Sequence, residues 1–149
     1  MKILEAQNAV LTNYEVYKHL AEQRERYAQD KRRGPPNLET VVREILQYFR
    51  TPPNPLSQNP ITYTPECVST LLERLRPYDL SKAEVIMLFN LRPQSVANLN
   101  TSIEELEDRF TLEQQEAIIE VVVDVLGQFE SAEAQDAAEG DASMTNGDS

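Results

Sequence analysis

Acidic side chains form the one cluster in this chain whose types and spacing suggest chemistry. Glu104, Glu105, Glu107 and Asp108 fall within five consecutive positions. Carboxylates so close together can hold a divalent cation or divide acid and base roles between them. The plainer reading is that they follow a helix start, where acids favour the macrodipole and face water. The other reactive residues do not assemble into a site. Cys67 and His19 are the only cysteine and the only histidine, so neither a disulfide nor a cysteine–histidine zinc set can form within the chain. Cys67 has no basic neighbour in sequence to activate its thiol and reads as a small buried hydrophobe. His19 borders an apolar stripe and reads as a structural surface residue, because a site needs a constellation. Gly34 and Gly127 are the only glycines before residue 130, which excludes a glycine-rich phosphate loop. No motif sets a serine beside the histidine. The expectation is no catalytic, metal or cofactor residue, and therefore not an enzyme.

Composition narrows the class further. The 149 residues suit one domain with extensions, or two small ones. Of the net charge of −11, −5 belongs to residues 131–149, which leaves −6 on residues 1–130. An acidic body repels a phosphate backbone, so any nucleic-acid contact is expected to be weak or indirect. The chain opens without a signal peptide, and no apolar run approaches the ~18 residues that span a bilayer. No membrane role is expected, and the lone cysteine suits a reducing compartment.

Caps and prolines cut the chain into helices. Thr12–Glu15, Ser81–Glu84, Ser102–Glu105 and Thr111–Gln114 each match the capping-box pattern at a helix start. The first predicts a helix from 12 to about 29, with Val16, Tyr17, Leu20 and Ala21 in one stripe. Lys31-Arg-Arg-Gly-Pro-Pro36 ends it; the adjacent bases fit a localisation signal or a phosphate contact, and more plainly a solvated turn. Asn37 is expected to cap the next helix. There Leu38, Val41, Val42, Ile45, Leu46 and Phe49 keep a helical rhythm that calls for burial, and Tyr48 can widen the face. Residues 51–60 hold four prolines and read as a stiff, extended linker.

Thr64-Pro-Glu opens a helix with Val68, Leu71, Leu72 and Leu75 inward. The helix from Ser81 to before Pro93 is apolar over a wide arc and is expected to be central. Ser95–Leu99 is a turn of helix or a loop. Ile103, Leu106 and Phe110 face inward, as do Ile118, Ile119, Val122, Val125, Leu126 and Phe129. The predicted core is Leu71, Leu75, Leu88, Phe89, Leu106, Ile119, Val122 and Leu126. Residues 131–149 carry too little apolar surface to order and read as a disordered acidic tail. The fold class is all-α. Its parts are an N-terminal arm with two helices (1–51), a linker (52–60), a helical bundle (61–130) and the tail.

Residues 1–11 have no place in that scheme. Ile3, Leu4, Val10 and Leu11 are apolar, but later segments offer no strand to pair with. The segment is either a loosely packed arm or a strand donated to another chain's sheet.

Four segments in order carry a family resemblance. They are Leu11-Thr-Asn-Tyr-Glu-Val16, Leu75-Arg-Pro-Tyr-Asp-Leu-Ser-Lys-Ala-Glu84, Leu88-Phe-Asn-Leu-Arg-Pro93 and Ile103-Glu-Glu-Leu-Glu-Asp-Arg-Phe110. With the proline-rich break between the halves, they resemble the smaller stalk subunits of RNA polymerase III, the calcitonin gene-related peptide receptor component protein family. That family is related to the smaller stalk subunits of RNA polymerase II and of archaeal RNA polymerase. The resemblance covers residues 1 to about 130.

The resemblance implies a C-terminal half like the helicase-and-RNase-D C-terminal (HRDC) domain, a fold that often binds nucleic acid elsewhere. It implies an obligate heterodimer with a larger stalk subunit that carries an OB-fold. The N-terminal segment joins that partner's sheet and the first helix packs near it, roles that fall on Ile3, Leu4, Val10, Leu11, Tyr14 and Tyr17. It further implies a noncatalytic nuclear subunit that contacts the core RNA polymerase III and initiation factors and assists initiation. The competing readings are a cytoplasmic signalling adaptor for a peptide-hormone receptor and a stand-alone nucleic-acid-binding HRDC module.

Overall fold

A computed structural model describes residues 2–129. Its described part is all-α, with seven α-helices, one 3-10 turn and no strand. The acidic tail assigned to residues 131–149 lies outside the described residues.

Three of the four capping boxes open helices. In α1 (Asn13–Gln29), Thr12 Oγ1 accepts from the Glu15 amide at 3.2 Å, and Glu15 Oε2 accepts from the Thr12 amide at 2.8 Å. Ser81 with Glu84 and Thr111 with Gln114 do the same for α4 (Lys82–Leu91) and α7 (Leu112–Leu126). Each satisfies amides that a helix start leaves free. The fourth box does not form. Residues 102–105 stay in turns, Glu105 adopts a left-handed backbone with φ 52°, and α6 (Leu106–Arg109) starts only after it. The Ser102 and Ile103 amides instead bond back to the Leu99 carbonyl at the end of α5 (Val96–Leu99). Burial of Ile103, Leu106 and Phe110, as expected, is reached through this bend.

The second helix, α2 (Pro36–Phe49), is not capped by Asn37. It begins two residues earlier than that cap implies, at Pro36, where a missing amide costs nothing. Only part of its apolar face is covered. Val42, Leu46 and Phe49 are buried, whereas Leu38, Val41 and Tyr48 are exposed. The two sets lie on adjacent strips of the helix, and the body covers one strip.

The proline-rich stretch is not extended throughout. Asn54 Oδ1 accepts from the Leu56 amide at 3.0 Å and starts a 3-10 turn over Pro55–Ser57. Leu56 is buried in the same apolar cluster as Phe49 and Tyr63. α3 (Pro65–Leu75) then starts with its proline as expected. The buried Cys67 Sγ accepts from the Thr64 amide at 3.3 Å and donates to the Val125 carbonyl at 3.3 Å.

The central helix is α7, not α4. Helices α3, α4 and α5 all pack against α7, which buries Ile118, Val121, Val122 and Leu126. α4 buries Leu88 and Phe89 but leaves Met87 and Leu91 exposed. Seven of the eight expected core residues are buried. The eighth, Ile119, is half-buried, and Ile118 beside it is fully enclosed. A helical turn of 100° per residue separates the two, and sequence spacing alone accommodates either. Each fully buried aliphatic side chain contributes roughly 1.5–3 kcal/mol relative to exposure.

α7 is closed by residues far away in sequence. Gly127 takes φ 86°, which favours glycine, and a Cβ there would also crowd Thr62 at 3.1 Å. Arg92, itself left-handed at φ 47° ahead of Pro93, is buried. Its Nη1 donates to the Leu126 carbonyl at 3.2 Å and to Thr62 Oγ1 at 3.1 Å, and its Nη2 donates to Gln58 Oε1 at 2.9 Å. Its guanidinium sits 4.0 Å from the centre of the Phe129 ring. A cation at a helix C-terminus favours the macrodipole, while burial pushes its pKa below the ordinary arginine value.

Candidate functional site

The described residues contain no group of His, Cys, Asp and Glu arranged to hold a metal ion. Glu104, Glu105, Glu107 and Asp108 are all exposed. His19 is exposed and Cys67 is buried. The two most exposed large apolar side chains, Ile3 and Leu4, lie where the described residues begin, and others stand on α2, α3, α4 and the start of α7.

Ile3 and Leu4 are 79% and 86% exposed, and Val10 and Leu11 are 44% and 54% exposed. Residues 2–11 form neither helix nor strand. The arm leaves the body at a fixed point. Thr12 is buried, its hydroxyl donates to Glu15 Oε2 at 2.9 Å, and the Asn13 amide donates to Asn90 Oδ1 of α4 at 2.9 Å. The start of α1 is thereby tied to the end of α4, and the exit direction of the arm is set by residues outside it.

Tyr14 and Tyr17 belong to a different environment from the arm. Both are half-buried and packed against the core. The Tyr14 ring meets Tyr63 edge-on at 5.9 Å between centroids, and the Tyr17 ring meets Phe49 edge-on at 6.2 Å. Such pairs add about 0.5–1.5 kcal/mol beyond the area they bury. The Tyr63 hydroxyl donates to the Phe89 carbonyl at 2.7 Å, and burial raises its pKa well above the ordinary value, so it stays neutral. With Ile61 and Tyr63, the outer edges of Tyr14 and Tyr17 line an open hollow of about 280 Å³. The six residues thus form two groups: four free side chains on the arm, and two ring edges on the body beside a hollow.

Two features of the structure were not legible from sequence. The first is Arg92, whose burial depends on α7 ending beside it; its position before a proline signals only that it is not α-helical. The second is an arginine-lined groove of about 470 Å³ between α1 and the start of α2. Arg32 and Arg33 of the Lys31-Arg-Arg run meet Arg24 and Arg43 there. A helical hairpin brings together bases that sequence spacing keeps apart.

Ionic order elsewhere is structural. Arg109 pairs with Glu84, donating to Oε2 at 3.2 Å, and also donates to the Asp79 carbonyl at 2.6 Å and the Glu104 carbonyl at 3.1 Å. These bonds tie the loop before α6 to the start of α4. The Arg109 hydrogen bond holds the Glu84 carboxyl at about 2, against an ordinary 4.5.

Fold and surface together define an all-helical protein that extends an exposed apolar arm from an anchored point beside two partly open tyrosines. Residues 10–126 match the family described as RNA polymerase Rpb4, and the chain belongs to that family. Among its relatives, DNA-directed RNA polymerase III subunit rpc9 of Schizosaccharomyces pombe is 36% identical over 117 residues, covering 74% of this chain and 87% of that protein. DNA-directed RNA polymerase III subunit RPC9 of Saccharomyces cerevisiae is 25% identical over 157 aligned positions, covering 82% of this chain and 98% of that protein. The resemblance to the smaller stalk subunits of RNA polymerase III therefore agrees with both the family and the relatives.

Proposed function

We propose that this chain is the noncatalytic smaller stalk subunit of RNA polymerase III, working in the nucleus as a heterodimer with a larger OB-fold subunit. Membership of the Rpb4 family and the names of two relatives support the polymerase assignment. The observation that carries the binding role is the arm. Four apolar side chains stand exposed on a segment whose backbone has no strand to pair with among the described residues. Added to a partner's sheet, the segment gains backbone hydrogen bonds and buries those side chains.

In this reading Ile3, Leu4, Val10 and Leu11 enter the partner's sheet, and the outer edges of Tyr14 and Tyr17 meet the partner beside it. Residues 1–51 then carry the interface and residues 61–130 form the HRDC-like body, with 52–60 as the joint between them. The dimer connects to the core polymerase and to initiation factors and assists initiation. No cofactor is required, and nucleic-acid contact is weak and indirect.

The test is affinity purification of the tagged full chain against a form lacking residues 1–10, with the recovered proteins identified by mass spectrometry. The full chain is expected to recover the larger stalk subunit and the polymerase core. The shortened form is expected to lose both while keeping its helical circular dichroism. Recovery of receptor components without polymerase subunits would favour the signalling-adaptor reading. Equal recovery of the larger subunit by both forms would move the interface away from the arm.

A further inference from the structure

The arginine-lined groove has a charge opposite to that of the molecule that carries it. Arg24, Arg32, Arg33 and Arg43 are exposed and line it together with Tyr27, Leu38 and Val42. None of the four makes a salt bridge among the described residues. Glu39 is the one acid in the lining, and its Oε1 accepts from the Gly34 amide at 2.7 Å. Four guanidinium groups around one cleft repel each other, an arrangement that a multiply charged anion relieves. Arginine forks suit carboxylates, and the apolar floor suits a polypeptide.

One occupant is available within the chain. We propose that the groove docks the chain's own acidic segment, residues 130–141. Glu130, Glu133, Asp136, Glu139 and Asp141 fall there without a base among them. Residues 1–129 carry −5 in total, so the rest of the body repels this segment and the groove attracts it.

The connection is long enough. Phe129 lines a pocket with Asn13 and Tyr48, at the start of α1 and the end of α2. The groove lies further along the same two helices, at Gln23–Ala28 and Pro36–Arg43. From Tyr48 back to Glu39 the helix rise amounts to about 14 Å. The seven residues from Phe129 to Asp136 have a coil span of about 15 Å, so Asp136, Glu139 and Asp141 come within reach of the groove. Tethering at that distance gives an effective concentration in the millimolar range, so modest charge pairing suffices to occupy the groove. A docked segment shields Arg24, Arg32, Arg33 and Arg43 from other anions.

The test uses the full chain and a full-chain variant with Glu133→Gln, Asp136→Asn, Glu139→Gln and Asp141→Asn. At low salt, amide NMR signals of residues 23–28 and 32–43 are expected to differ between the two, and the difference is expected to vanish at about 0.5 M salt. A synthetic peptide of residues 130–149 is expected to saturate the same amides in the variant, and to need at least five-fold more peptide in the native chain. Adding Arg32→Glu and Arg43→Glu to the variant should remove peptide binding while circular dichroism stays helical. Identical groove signals in the two chains at low salt would overturn the proposal, as would equal peptide affinity for both. A single-stranded oligouridylate that saturates both chains alike, where the peptide binds neither, would replace it with a nucleic-acid site.

Discussion

Helices α1 and α7 start with the same device and come to opposite ends. Each opens on a threonine whose hydroxyl caps the third helical amide while the residue there reaches back. Yet α1 buries none of its own residues, and α7 buries five, including Ile118, Val122 and Leu126 with no exposure at all. A cap fixes where a helix begins and contributes about 1 kcal/mol. It says nothing about what the helix is packed against. α1 is attached along one edge by Tyr14, Val16 and Tyr17, whereas α7 is surrounded by α3, α4 and α5. The bundle around α7 holds the fold, and α1 lies at its surface.

Substitutions can test that contrast. Val122→Asp should have the largest effect, because a charge with no partner would lie in the fully buried centre of α7. The expected loss is on the order of 4–5 kcal/mol, a large part of the stability of a domain this size; urea denaturation followed by circular dichroism measures it. An unchanged midpoint would mean α7 is not the hub.

Ile118→Ala and Ile119→Ala sharpen the comparison within α7 itself. Loss of the enclosed Ile118 side chain should cost roughly 2–5 kcal/mol, and Ile119→Ala less than half of whatever Ile118→Ala costs. Equal losses in chemical denaturation would contradict the rotation of the helix described above. On α1, Tyr17→Ala removes the edge contact with Phe49, about 1 kcal/mol, together with the area its half-buried ring covers, and should still cost less in the free chain than Ile118→Ala. A cost matching that of Ile118→Ala would mean α1 is part of the core rather than attached to it.

The smallest expected effect is the acid sensitivity of the Arg109–Glu84 pair. The folded pKa of Glu84 lies below its ordinary value of 4.5, at about 2. Its contribution is therefore present above pH 4.5 and lost as pH falls toward 2. Glu84→Gln should be less stable at neutral pH and show a shallower loss across that window. Thermal midpoints at pH 6, 4 and 2.5 read this out, and parallel curves for the two proteins would assign the acid sensitivity to other groups.

Much of the fold was legible because local chemistry decides it. Prolines and caps mark helix starts whatever surrounds them, so α1, α3, α4 and α7 begin where Thr12, Thr64, Ser81 and Thr111 indicate. The failures are also physical. Ser102–Glu105 has the composition of a box, but its amides bond back to Leu99 and the burial of Ile103 holds the turn. The apolar arm was legible as an unplaced segment, and its exposure bears out only that. Its partner is a property of another molecule.

What the sequence determined by itself was therefore the all-helical class, most helix starts, the position of the arm and the family, since all of these rest on neighbouring residues and their order. Tertiary structure decided which helix is central, which of Ile118 and Ile119 is enclosed, and which half of the α2 face stays open. It also decided the closing of α7 by Arg92, Thr62 and Gly127, and the meeting of Arg24, Arg32, Arg33 and Arg43 in one groove. The reason is the same in each case. Helical periodicity defines a face to within about one residue, while burial and charge clustering depend on packing between segments remote in the chain.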